Sequence, residues 1–306
     1  MLSGRSKSIM SSEIYTQIRG GFRNLNPSQV RELADRRILV GLIASTSAGF
    51  AALKELLAPP SLREARPCEI VHLGPGPAGD QASRFDLLIS ESELLAPPQA
   101  FRFDAADPQR TVNQIVERRE DLRLALARNF RAFRRPVIGK VVQAISRENA
   151  AFSLLTALPD VIPSLIELPW AAGEFASDTA VLTMNQVRMA FLIAGASDQD
   201  VGYREQRAQI AGIVAGAFGW RALARELAGK IPFGGGLLPK AAIAFAGTYT
   251  VGIGLERLYR IGYGLTREER RRIYENALER GRAIVSSLIE AAKARGQTHP
   301  GFPTIE

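Results

Sequence analysis

Two short segments carry residue types and spacings suited to holding phosphate. The first, Ala44-Ser45-Thr46-Ser47-Ala48-Gly49-Phe50-Ala51, follows an apolar run and has the outline of the phosphate loop G-x-x-x-x-G-K-[ST]. In that loop backbone amides cradle the phosphates, a lysine reaches the β- and γ-phosphates, and a Ser/Thr hydroxyl holds Mg²⁺. Aligned on Gly49, Ala44 stands for the first glycine, Phe50 for the lysine and Ala51 for the hydroxyl residue. The ammonium and the hydroxyl are both missing, so nucleotide hydrolysis is disfavoured and no cofactor is expected. The Phe50 ring suits burial beneath the loop. The second segment, Gly74-Pro75-Gly76-Pro77-Ala78-Gly79, matches G-x-G-x-x-G. Its two prolines remove amide donors, and too few residues precede the next expected strand for the helix that a dinucleotide site needs.

Other catalytic material is sparse. Ser45, Thr46 and Ser47 offer hydroxyls, but a base would have to be His72 or a carboxylate brought in by the fold. One cysteine, Cys68, and two histidines, His72 and His299, in 306 residues argue against a disulfide framework, thiolate zinc sites and His-based triads. In Phe101-Arg102-Phe103-Asp104 only Asp104 matches the end of a guanine-recognition N-K-x-D. An enzyme built on the Ser45–Ser47 loop or on Asp104 is the least favoured class.

These residues need a sheet to position them. Asn26-Pro27-Ser28 caps a short helix, and Ile38 to Ala44 has the length and β-branching of a buried strand. A loop over Ser45–Gly49 and a helix over Phe50–Leu57 follow. Further strands are expected at Glu69–Leu73, Asp86–Ser90 and Ala100–Phe103, and one long charged helix over Arg110–Arg128. This alternation predicts a small parallel sheet covered by helices. From about Arg134 strand signals vanish and apolar residues recur at helical spacing. Gly/Pro clusters at Leu158–Pro163, Gly195–Gly202, Pro232–Pro239 and Gly262–Gly264 separate about five helices, the last opening on a Thr266/Glu269 capping box.

The net charge of +8 is unevenly spread. Residues 151–200 hold six acids against Arg188 alone, whereas both flanks are basic, with clusters at Arg128, Arg131, Arg134, Arg135 and Lys140 and at Arg267, Arg270, Arg271 and Arg272. Glu268, Glu269, Glu275 and Glu279 interleave with the last cluster, which reads as a solvated helix face. Only Phe130 and Phe133 fall within the arginine clusters, and nucleic acid is disfavoured as a partner. The first twenty residues lack the apolar core of a secretory signal.

Ile231–Leu255 is apolar apart from Lys240, but Gly234–Gly236 and Pro239 interrupt it, which suits a buried helix better than a membrane span. Gly212/Gly216 and Ala242/Ala246 have the small-xxx-small spacing of closely packed helices. Asp178, Asn185, Gln186 and Arg188 lie among apolar residues. They predict a polar network inside the bundle, with Arg188 paired to Asp178 or Glu174, and Lys240 is a further candidate for the network or an interaction.

Asn149-Ala150, Ala157-Leu158-Pro159, Asp178, Leu182–Met189, Trp220–Leu227, Ile231–Gly236 and Pro239–Tyr249 together resemble the YcjF-like domain of unknown function, over about 140–264. The resemblance implies a helical, often membrane-associated module that commonly follows bacterial GTPase domains and has no established catalytic residues. A GTPase-like module is then expected in the first half, where the phosphate loop is degenerate. The expectation is an α+β two-domain protein: an N-terminal helical arm (1–37), a small degenerate P-loop-like α/β domain (38–133), an all-α YcjF-like domain (134–296) and a tail (297–306). Its expected function is a non-catalytic cytoplasmic adaptor or scaffold, a pseudo-GTPase. The partners are a protein, a GTPase foremost, the peripheral anionic inner membrane surface, or a second copy in a homo-oligomer. The alternative is a hairpin-inserted or integral membrane protein using 231–255 and 209–220.

Overall fold

The computed structural model describes residues 25–57, 68–74, 79–91, 94–156, 178–216 and 237–297. They form an α+β protein with one four-stranded parallel sheet in the order β2-β1-β3-β4, comprising β1 (Ile38–Ile43), β2 (Cys68–Leu73), β3 (Leu87–Glu91) and β4 (Phe101–Phe103). β1 is central, aligning Ile38 with Cys68 on one side and Val40 with Leu87 on the other. Its near-continuous apolar run follows from that position, since both faces of a covered parallel strand are buried. Gly41 sits where Leu88, Leu73 and Phe85 converge, and a methyl group there would meet Leu88 Cδ2 at 2.6 Å.

The described residues divide into two compact units, Pro27–Val141 with Phe191–Glu205, and Met1–Asn26 with Val142–Ala190 and Gln206–Glu306. The sheet unit carries α1 (Pro27–Ala34), α2 (Ser47–Leu56), α3 (Pro108–Arg118) and α4 (Arg123–Asn129). It therefore takes in α1, expected in the arm, and residues 191–205, expected in the helical domain. The reason is local: Val30 and Ala34 of α1 pack on Gly195, and Arg31 donates to the Val201 carbonyl at 2.6 Å. Arg128 adds an ion pair to Asp35 at 2.9 Å and a hydrogen bond to the Gln199 carbonyl at 2.8 Å.

Two expectations are corrected in this unit. The helix after β1 begins at Ser47, not Phe50, because Thr46 caps it by accepting a hydrogen bond from the Gly49 amide at 3.0 Å. The expected helix over 110–128 is broken. Asp107 caps α3 at its start, and Arg119 leaves the helical conformation to bond the Asp86 carbonyl and, at 2.9 Å, the Asp121 carboxylate. Arg36 bridges the same two aspartates, at 3.0 and 3.2 Å, and Arg119 foremost holds the Asp121 carboxyl below its ordinary range.

The helical unit contains most of α5 (Arg131–Leu155) and of α6 (Asp178–Ala196), helical residues 207–216, α7 (Leu237–Ile261) and α8 (Arg267–Gln297). The expected breaks at 158–163 and 232–236, and the Trp220–Leu227 stretch, lie outside the described residues. α7 ends at Gly262, whose φ of 86° is the left-handed conformation that a helix-terminating glycine adopts without strain. The capping box forms as expected: the Thr266 amide donates to Glu269 at 2.9 Å, and the Glu269 amide donates to Thr266 Oγ1 at 3.2 Å. With Arg257 also bonded to it, the Glu269 carboxyl is pulled down to about 2, the Thr266 amide contributing most. Its folded value lies below the ordinary 4.5, so this contribution is complete above about pH 4.5 and is lost as pH falls toward 2. Glu269→Gln is expected to lower Tm at pH 7, with the gap to the parent closing between pH 4.5 and 2 in a calorimetric series.

α7 and α8 pack through small residues. A methyl group at Gly281 would lie 3.0 Å from the Ala242 carbonyl oxygen and 3.2 Å from the Phe245 ring. Ala242 and Ala246 are fully buried there, whereas a Cβ at Gly212 meets nothing within 4 Å among the described residues. Backbone cannot rotate away, so Gly281→Ala is expected to be destabilising by about 1 kcal/mol even after the helix-propensity gain. Gly139→Ala on α5 has open space. It is expected to stabilise by up to about 1 kcal/mol, and urea unfolding of both variants checks the opposite signs.

Candidate functional site

The residues aligned with a phosphate loop occupy the turn from the C-terminal end of β1 into α2, where open α/β sheets bind ligands. Only Ala44, Ser45 and Thr46 separate the strand from the helix. Ala44 is buried and its amide bonds the Leu73 carbonyl at 3.2 Å, so it lines no cradle. The Ser45 amide and Ser45 Oγ both donate to Glu91 Oε2 at 2.8 Å. Glu91 ends β3, and its carboxylate lies so close to Gly49 that any side chain there would overlap it.

The chain's own carboxylate thus sits at the start of α2, where the amides and the helix dipole favour negative charge. An incoming phosphate would meet both an occupied space and a like charge.

The Phe50 ring is not beneath the loop, as expected, but half-buried and stacked on His72 of β2, with centroids 4.3 Å apart. The first helical turn points Phe50 sideways toward β2, beyond reach of the core. His72 Nε2 in turn lies 3.4 Å from the Ala44 carbonyl oxygen. Ala51 is exposed on α2. Ser45 has a carboxylate acceptor rather than an imidazole. Burial, with a lesser effect of Asp86, pushes the Cys68 thiol up to about 12, which leaves no thiolate nucleophile at neutral pH. Asp104 is committed to its turn, accepting from the Ala106 and Asp107 amides at 3.0 and 3.2 Å.

Gly79 begins a short 3₁₀ segment, Gly79–Arg84, rather than a dinucleotide-site α-helix, while 75–78 lie outside the described residues. Among the described residues, no group of His, Cys, Asp and Glu has the clustering of a metal site.

No family model, curated protein or solved structure matches the chain. The site is therefore read from its geometry alone. Glu91 was missed because it lies 46 residues from Ser45; its one signal is an acidic residue directly after an expected strand.

In the helical unit Asn185 and Gln186 take part in a buried polar network, together with Asn149 and Thr248. The Asn149 side-chain amide of α5 donates to Thr248 Oγ1 of α7 at 2.8 Å and to the Leu182 carbonyl of α6 at 3.3 Å. Asn185 donates to Asn149 Oδ1 at 2.7 Å, and Gln186 to Thr248 Oγ1 at 3.3 Å. All four side chains are nearly or fully buried. Arg188 is outside this cluster and pairs with Glu148. Ten residues along one helix put Asp178 about 15 Å from Arg188. Glu174 and the Asp178 side chain are outside the described residues. Lys240 is exposed and reaches Thr156 Oγ1 at 3.4 Å. No described helix is long and apolar enough to cross a membrane.

Proposed function

We propose that the chain is a non-catalytic adaptor at the cytoplasmic face of the membrane: a degenerate phosphate-loop domain joined to a YcjF-like helical domain. The observation that carries this reading is the Glu91 carboxylate bonded to Ser45 at the start of α2. It satisfies the donors that a nucleotide phosphate would use. Phe50, where a lysine would neutralise phosphate charge, is engaged with His72 instead. A phosphate loop that has exchanged its ligand for an internal anion is a device for shape rather than for turnover. The partner that fits best is a protein, an intact GTPase foremost, with the basic flanks serving an anionic membrane surface as a secondary contact.

Equilibrium dialysis of the full chain against GTP and ATP tests the central claim. Neither nucleotide is expected to bind in the micromolar range. Micromolar binding accompanied by hydrolysis overturns the proposal.

A further inference from the structure

Five described basic side chains of the sheet unit are committed to carboxylates. Arg36 and Arg119 hold aspartates, Arg123 bonds Glu120 and the Val116 carbonyl, Arg128 pairs with Asp35, and Lys140 with Glu117. Three arginines, two of them without a carboxylate partner among the described residues, gather around one cavity. The cavity, about 460 Å³, lies where β4 meets α3, and Arg102, Arg110, Gln114, Arg118, Asp104 and Thr111 line it. Arg110, Gln114 and Arg118 recur every fourth residue and so share one face of α3. Arg102 lies on β4, the edge strand of the sheet. Buried Thr111 ties the two elements together, accepting from the Asp104 amide at 3.0 Å and donating to the Arg102 carbonyl at 3.3 Å.

Among the described residues, Asp104 is the cavity's only carboxylate. Its Oδ1 accepts two backbone amides, and its Oδ2 is 3.8 Å from Arg110. Arg102 and Arg118 have no carboxylate partner among the described residues. Three guanidiniums against one committed carboxylate leave a surplus of two positive charges in a single cleft.

We infer that this cleft binds a small phosphate compound. Guanidinium forks match the geometry and charge of a phosphate dianion, and their planar donors make paired hydrogen bonds to it. The volume falls within the range of small-molecule sites, about 300–1,000 Å³ in general. The cleft belongs to the sheet's edge at β4, the neighbour of the strand that ends in Glu91, but Glu91 does not line it, and the inference does not depend on the adaptor reading.

Isothermal titration of the full chain at fixed ionic strength, with inorganic phosphate and with ribose 5-phosphate, tests it. Saturable one-to-one binding is expected, weakened at least tenfold in Arg102→Gln and in Arg118→Gln. Arg131→Gln, an exposed arginine outside the cleft, should leave it unchanged. Tighter binding of the ester assigns the site to organic phosphates and equal binding assigns it to the free ion; both support the oxyanion site. No saturable binding overturns the inference, as does binding that the two cleft variants leave unaltered or that Arg131→Gln weakens equally.

Discussion

Asn149→Ala is expected to lower Tm by about 6–12 °C. Asn149 joins α5 to both α6 and α7, and three hydrogen bonds converge on its side chain inside the helical unit. Truncation leaves the Asn185 side-chain amide facing a methyl group and removes the bonds to Thr248 and to the Leu182 carbonyl. Each buried polar group so stranded costs about 1–3 kcal/mol, and the lost volume adds to it. A total near 3 kcal/mol converts at about 2–4 °C per kcal/mol for a chain of this size. Scanning calorimetry reads the shift. A double-mutant cycle with Thr248→Val isolates the bond at 2.8 Å, with a coupling of about 0.5–3 kcal/mol expected. A drop under about 1 kcal/mol in the single variant would mean that packing alone holds these helices and that the network is incidental.

Glu91→Ala is expected to convert the β1–α2 turn into a phosphate site. Removing the carboxylate frees the Ser45 amide and hydroxyl and the space beside Gly49. It also removes a like charge within about 4 Å of the incoming anion. That repulsion is worth about 4 kcal/mol per pair of unit charges at an intermediate dielectric, less at this half-exposed site after screening. A gain of ten- to a hundredfold in phosphate affinity is the expected outcome, with Glu91→Gln intermediate because it keeps the bulk and loses the charge. Phosphorus NMR titration in an Arg102→Gln/Arg118→Gln background separates this site from the arginine cleft. GTP affinity should rise far less, because Phe50 supplies no ammonium. Unchanged phosphate affinity in Glu91→Ala would remove the basis for reading the turn as a former phosphate loop.

Much of the secondary structure is written locally. The Ile38–Ile43 strand, the later strands to within about one residue, and the Thr266/Glu269 box each follow from a contiguous pattern of burial or capping chemistry. What was illegible depends on long-range placement. Nothing near Glu91 announces that it will reach Ser45, and nothing near Asn149 announces Thr248, 99 residues on. The break at Arg119 belongs to the same class, because its cause is a bond to Asp86, 33 residues earlier. The Glu148 partner of Arg188 belongs to the same class: apolar surroundings require a counter-ion without saying which helix supplies it, and Glu148 does so from α5.

The strand order has a consequence for how the chain acquires its shape. β1 is synthesised before the other strands yet lies between β2 and β3, so neither of its edges can be covered by a local hairpin. Its partners emerge about 30 and 50 residues later, and the sheet is complete only once Phe103 has left the ribosome. Until then Ile38–Ile43 is a nascent segment without charge or proline, the composition most prone to intermolecular pairing. Arg36 and Arg37 stand immediately before it, where flanking charge disfavours such pairing. That effect precedes the ion pairs that Arg36 makes once the fold is complete.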